Sequence, residues 1–151
     1  MTDFSISLGQ DQFDYEGELV ALGSLKIGEF RESFHASLSY WGRDRYLTQW
    51  REALERLIKG APRSALVTSM HSPATTNLIR WWPLYRIGDN AHFQEQVLFM
   101  NQLEQPFEEA DLYRLVPPRE TTSEDSERLS EWALNLTAIE TFLESETPRI
   151  S

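Results

Sequence analysis

No cysteine occurs in this chain of 151 residues, which removes disulfides, thiolate metal sites and a cysteine nucleophile together. Histidine is almost as scarce. His35, His71 and His92 stand too far apart for any paired-ligand spacing, and no HExxH or CxxC is present, so no metal site is expected. None of the seven glycines belongs to a phosphate-cradling loop, a dinucleotide fingerprint or a GxSxG elbow, and no cofactor is expected. No apolar run approaches the roughly 20 residues that a bilayer-spanning helix needs. The start Met1-Thr2-Asp3-Phe4 lacks the basic residues and apolar stretch of a signal peptide. The expectation is a soluble, cytoplasmic protein without a membrane partner.

Positive charge is the next deficit. The formal net charge is −10, and it is unevenly placed. Residues 1–24 hold five acids and no Lys or Arg, and residues 101–151 hold twelve acids against four Arg. Between them, residues 25–100 are mildly positive, with ten bases and seven acids. Phosphate binding needs Lys and Arg to displace counterions, so this balance speaks against nucleic acid as the direct partner and for a basic one.

What is present is ample core material. A hydrophobic fraction of 40%, with five Trp, eight Phe and five Tyr, belongs to a folded chain and not to a disordered acidic tail. The length suits one domain, placed at 13–145, between a flexible N-terminal segment 1–12 and a frayed end at 146–151. No repeat or interdomain linker is visible.

The pattern predicts antiparallel strands with two main helices. Alternation over 13–22 puts Phe13, Tyr15, Leu19 and Ala21 on one face of a strand and Asp14, Glu16 and Glu18 on the other. A second strand over 28–38 places Phe30, Phe34, Ala36 and Leu38 inward. A helix follows, capped by Asp44, with Tyr46, Leu47, Trp50, Ala53, Leu54, Leu57 and Ile58 at three- and four-residue spacing. Gly60 and Pro62 end it. A short strand at 64–70 precedes a hairpin of 77–87 and 91–100 turned by Gly88, Asp89 and Asn90. Pro83 predicts an edge or a bulge there. A short helix is expected over 106–116, then a solvated loop at 119–128, a last strand at 129–133, and a helix opened by a Thr137–Glu140 capping box.

Carboxylates are the only abundant reactive groups. Any two could act as general acid and base, but among 24 acids such pairing has no specificity, and no catalytic residue is assigned. Three acidic groups merit weighing as binding residues against plainer roles. Asp14, Glu16 and Glu18 could form a charged strand face, or an edge kept soluble. Glu104, Glu108, Glu109 and Asp111 could face a partner, or complement a helix dipole. Glu120, Glu124, Asp125 and Glu127 sit in the loop most available for contact. A competing basic-aromatic patch of Arg80, Trp82 and Arg86 would suit single-stranded nucleic acid.

The segments EGELV (16–20), SLSYW (37–41), YLTQWREAL (46–54), SALVTSM (64–70), TNLIRWWPLY (76–85), QVLFM (96–100) and SEW (130–132) together resemble the immunity proteins of contact-dependent growth inhibition (CDI) systems of Gram-negative bacteria. The likeness is to those paired with toxins that cut 16S ribosomal RNA, and it runs from about residue 13 to 145. It implies a single α+β domain of twisted antiparallel sheets with packed helices, similar to the Whirly single-stranded DNA-binding proteins. It implies no enzyme, but an inhibitor binding 1:1 to the basic, RNA-cleaving C-terminal domain of a cognate CDI toxin. An acidic protein can steer onto such a surface and exclude RNA by occupying the same field. The expected toxin-binding residues are Glu108, Glu109, Asp111, Glu120, Glu124, Asp125 and Glu127, with Asp14, Glu16 and Glu18 as second choice. The alternatives are a Whirly-like nucleic-acid binder and a carboxylate hydrolase.

Overall fold

The computed structural model describes residues 3–71, 78–99, 103, 108–121 and 130–146. Among these residues, two antiparallel sheets, two α-helices and a 3₁₀ helix make an α+β fold. Strands β1 (Phe4–Tyr15), β2 (Glu18–Ile27) and β3 (Phe30–Ser37) form a meander. Helix α1 (Arg43–Ile58) leads to the second sheet, built from β4 (Arg63–Ser69), β5 (Leu78–Ile87), β6 (Asn90–Phe93), β7 (Gln96–Phe99) and β8 (Trp132–Asn135). Its order is β4-β5-β6-β8, with β7 also paired to β5. A 3₁₀ helix covers Glu109–Leu115, and α2 (Leu136–Glu146) follows β8 directly.

The strand predicted over 13–22 is two strands joined by a two-residue turn. Glu16 and Gly17 both take positive φ (53° and 84°), the conformation whose twist matches a tight hairpin. Asp14 locks the turn by accepting a hydrogen bond from the Gly17 amide at 3.0 Å. Cross-strand neighbours share a face, and Tyr15 pairs with Glu18 while Asp14 pairs with Leu19. Asp14 and Glu18 therefore lie on opposite faces, and the predicted three-carboxylate face does not exist. Residues 4–12 lie within β1, where Phe4, Ile6 and Leu8 are buried in the core.

Helix α1 buries Tyr46, Gln49, Trp50, Ala53, Leu54 and Leu57, the inner stripe that three- and four-residue spacing demands. Leu47, expected with them, is exposed. Gly42 and not Asp44 is the N-cap; Asp44 sits in the first turn, favourably placed for the dipole. Gly60 has the expected positive φ of 113°. Three polar side chains fasten the helix to β3, β4 and the residue after β4. Gln49 donates to the Ala65 carbonyl (2.8 Å) and accepts from the Val67 amide (2.9 Å), and Trp50 Nε1 donates to the Val67 carbonyl (2.7 Å). Tyr46 donates to the Ser37 carbonyl at 2.6 Å and accepts from the Met70 amide at 2.9 Å, and burial raises its phenol to about 12.

Pro83 is not on an edge. It lies in β5, which pairs with β4 on one side and with β6 and β7 on the other. Leu84 faces Phe93 and Trp81 faces Gln96, so β6 and β7 keep one register across the break at Gln94 and Glu95. The interruption falls opposite Trp82 and Pro83 because proline has no amide hydrogen to give to the ladder. Only the Gln94 amide bridges it, donating to the Pro83 carbonyl at 3.0 Å. The predicted single strand 91–100 is thereby split.

Trp81 and Trp82 are both buried, each 1% exposed, as a sheet covered on both faces requires. An aromatic cluster joins the two sheets: Phe30 packs on Trp132 and Trp82, and Phe4 stacks on Phe93 and meets Phe142 edge-on. At the C-terminal end, Asn135 and not Thr137 caps α2, accepting from the Thr137 amide and hydroxyl at 2.9 and 2.8 Å.

Candidate functional site

A cleft of about 680 Å³ lies between the β1–β2 turn and β3 on one side and β4, β5 and the Glu95–Val97 stretch on the other. Among the described residues its lining carries the carboxylates Glu16, Glu18, Glu32 and Glu95, against Arg80, His35 and His71. Glu32 reaches across to Glu95. Burial, then the hydrogen bond that the protonated Glu32 donates to Glu95 and the charge of Glu95, push the Glu32 carboxyl up to about 7. A carboxyl set beside another carboxylate ionises at a cost, so Glu32 keeps its proton well above the ordinary carboxylate range. Glu18 is in the opposite condition. It accepts from the hydroxyls of Ser37 and Ser39 and pairs with His71 Nδ1 at 3.2 Å. Burial opposes its charge, but these partners together lower its pKa.

The outer face of the meander continues from the mouth of this cleft. Register places Phe13, Tyr15, Leu22 and His35 on it. Phe13, Tyr15 and Leu22 are 39%, 44% and 46% exposed, and Tyr15 stacks on the His35 ring at 4.1 Å.

The expected binding residues are distributed as follows. Asp14 is spent on the turn, Glu16 stands at its tip, and Glu18 lines the cleft. Glu109 accepts from Trp41 Nε1 (2.9 Å) and Tyr40 (3.3 Å) and pairs with Arg45 (3.4 Å), so it anchors the 3₁₀ helix to the start of α1. Asp111 pairs with Arg114 at 3.4 Å, while Glu108 and Glu120 are exposed. Glu104, Glu124, Asp125 and Glu127 lie outside the described residues. The loop after β3 links the two groups, because Ser39 bonds Glu18 while Tyr40 and Trp41 bond Glu109.

Arg80, Trp82 and Arg86 do not form a patch. Trp82 is in the core, and Arg86 donates to the Leu57 and Ile58 carbonyls at 2.7 and 2.9 Å, closing the end of α1. Among the described residues no cluster of His, Asp and Glu has the arrangement of a metal site, and no helix is long and apolar enough to cross a membrane.

The Glu32–Glu95 pair was not among the expected site residues, although a signal existed. In the alternation of β3, Glu32 shares the face of Phe30, Phe34 and Ala36, a carboxylate where the pattern calls for an apolar side chain. Nothing local marks Glu95 as its partner.

Residues 36–142 match the model of the CdiI N-terminal domain. The chain is 30% identical over 142 residues to the immunity protein CdiI of Enterobacter cloacae subsp. cloacae, covering 94% of this chain and 97% of that protein. It superposes with a TM-score of 0.86, at 30% identity, on a chain of the CdiA-CT/CdiI toxin and immunity complex from Enterobacter cloacae, again covering 94% and 97%.

Proposed function

This chain belongs to the CdiI family of immunity proteins, and we propose that it binds and neutralises the C-terminal toxin domain of its cognate CDI system. The observation that carries the proposal is the near-complete superposition on a chain of a toxin and immunity complex. The partner is read as a basic, RNA-cleaving nuclease bound 1:1 in the cytoplasm. A nuclease must attract a polyanion, and a protein of net charge −10 is attracted to the same surface. Inhibition is then steric and electrostatic, with no reaction catalysed by the immunity protein.

The acids that support this reading are those with charge left to offer. Glu108, Glu120 and Glu16 are exposed, with Asp111 and Glu18 partly so; Glu124, Asp125 and Glu127 add charge in the sequence beside Glu120. Asp14 and Glu109 contribute by holding the hairpin turn and the 3₁₀ helix in place. The test is a binding titration against the cognate toxin domain, run beside an RNA-cleavage assay. Saturation at 1:1 with loss of cleavage is the expected result. Binding without any effect on RNA would retain the partner and remove the nuclease chemistry.

A further inference from the structure

The cleft and the aromatic face beside it make one continuous surface whose chemistry differs from that of the acidic loop. We infer that this cleft, lined by Tyr15 and Glu16 from the outer face of the meander and by Glu32 and Glu95 from its inner side, is a docking site for the basic face of the toxin domain, with Phe13 and Leu22 on the adjoining outer face and one arginine side chain of the toxin entering between Glu32 and Glu95. The inference rests on the reading of the partner as a cognate toxin and names the contact that reading leaves open.

Charge complementarity identifies the occupant. Four carboxylates line the cleft against one guanidinium and two imidazoles among the described residues. Glu32 and Glu95 line the same cleft, so two carboxyls stand in it together, and the raised pKa of Glu32 reflects its neighbour. A cation between them satisfies both carboxylates and removes the reason for Glu32 to stay protonated. Guanidinium fits better than ammonium, because its planar fork presents parallel donors to two carboxylates and its faces stack on aromatic rings. The rim supplies such rings: Tyr15 lines the cleft and is already stacked on His35. Phe13 and Leu22 extend the rim with exposed apolar area on the same face of the sheet. An acidic slot beside exposed aromatics is the arrangement in which an anchoring arginine is desolvated and held, while the surrounding contacts exclude water.

The pair also distinguishes recognition from support. Repulsion between two carboxyls destabilises the fold, so Glu32→Gln, which keeps the shape and removes one charge, is expected to raise the melting temperature. The same change is expected to weaken toxin binding about tenfold or more at pH 8, as loss of a charged anchor does. A residue that merely supports the fold cannot move these two readouts in opposite directions.

The experiment is calorimetric titration of the wild-type protein and of Glu32→Gln, Glu95→Gln and Tyr15→Ala with the cognate toxin domain. It is run at pH 6 and pH 8 in two buffers of different ionisation enthalpy, with thermal melts alongside. Expected are weaker binding in all three variants, unimpaired melting of the two glutamine variants, and proton release on binding at pH 6 that Glu32→Gln abolishes. Wild-type affinity in all three folded variants would overturn the docking site while leaving the partner in place. Failure of the wild type to bind would overturn the partner, and the docking site with it. A dimer of this chain that Tyr15→Ala dissolves would assign the aromatic face to a second copy and overturn the inference as well.

Discussion

Arg119 grips Glu131 with two guanidinium nitrogens, Nε at 2.9 Å from one carboxylate oxygen and Nη2 at 2.6 Å from the other. His92 and Gln94 share the same carboxylate, at 3.0 and 2.8 Å. The residue just before β8 is thereby tied to the end of β6 and to the stretch after the 3₁₀ helix. The Arg119 hydrogen bonds, against the cost of burial and with help from Gln94 and His92, hold the Glu131 carboxyl down at about 2.

That depression fixes an acid limb. The stabilisation is fully present above the ordinary carboxylate value of 4.5 and is lost as pH falls from there toward 2. Glu131→Gln is expected to cost about 1–3 kcal/mol at pH 7 and to flatten the decline below pH 4.5. Urea unfolding at pH 7, 4 and 3 checks both parts.

Glu32 works in the opposite sense over a different range. Its raised pKa means that the fold holds a proton the unfolded chain has released, so stability is highest below 4.5 and falls as pH rises to about 7. The decline is expected to be about 1 kcal/mol, below the full value of the shift because the cleft is open to solvent. Wild-type protein should therefore melt higher at pH 5 than at pH 8, and the difference should shrink in Glu32→Gln. An equal difference in the two proteins would refute the assignment.

Gly23 tests the packing of the meander. A Cβ there would lie 2.2 Å from the ring of Phe34, its cross-strand neighbour, and Phe34 is itself set edge-on against Trp50. Gly23→Ala is expected to destabilise by about 1–3 kcal/mol, as overpacking does. Adding Phe34→Leu should return part of the loss, a coupling that a double-mutant cycle in denaturant would read directly.

The acidic loop should act on rate. Reversing Glu120, Glu124, Asp125 and Glu127 together is expected to slow toxin association and weaken protection, with a smaller difference between wild type and variant at high salt, since steering charges act chiefly on encounter. Stopped-flow association at two salt concentrations measures it. Unchanged rates in a folded variant would take the loop out of the encounter.

Periodicity made much of the fold legible. The α1 stripe, the inward face of β3 and the hairpin before β6 follow from spacing alone, because each is a local pattern repeated over several residues. The failures came where one residue overrides a pattern. Glu16-Gly17 continues the alternation of 13–22 yet folds back, since the turn needs only two residues with positive φ. Asn135 displaces Thr137 as a cap by standing two residues earlier. The site was less legible. An ion pair such as Arg45–Glu109, or a carboxyl pair such as Glu32–Glu95, joins residues 64 and 63 positions apart, and no single-chain pattern announces it.

The break between β6 and β7 has a consequence for how this surface can change. Ladder positions are committed in pairs: each side chain is sent to one face by the register, and a slip of one residue turns over the whole strand. Glu95 stands in the gap that Pro83 imposes, with the pairing on either side of it in the same frame. Replacing it alters the cleft without breaking a ladder pair. By withholding one amide hydrogen, Pro83 has left one position of the sheet free to be rewritten, and that position lines the cleft proposed to receive the toxin.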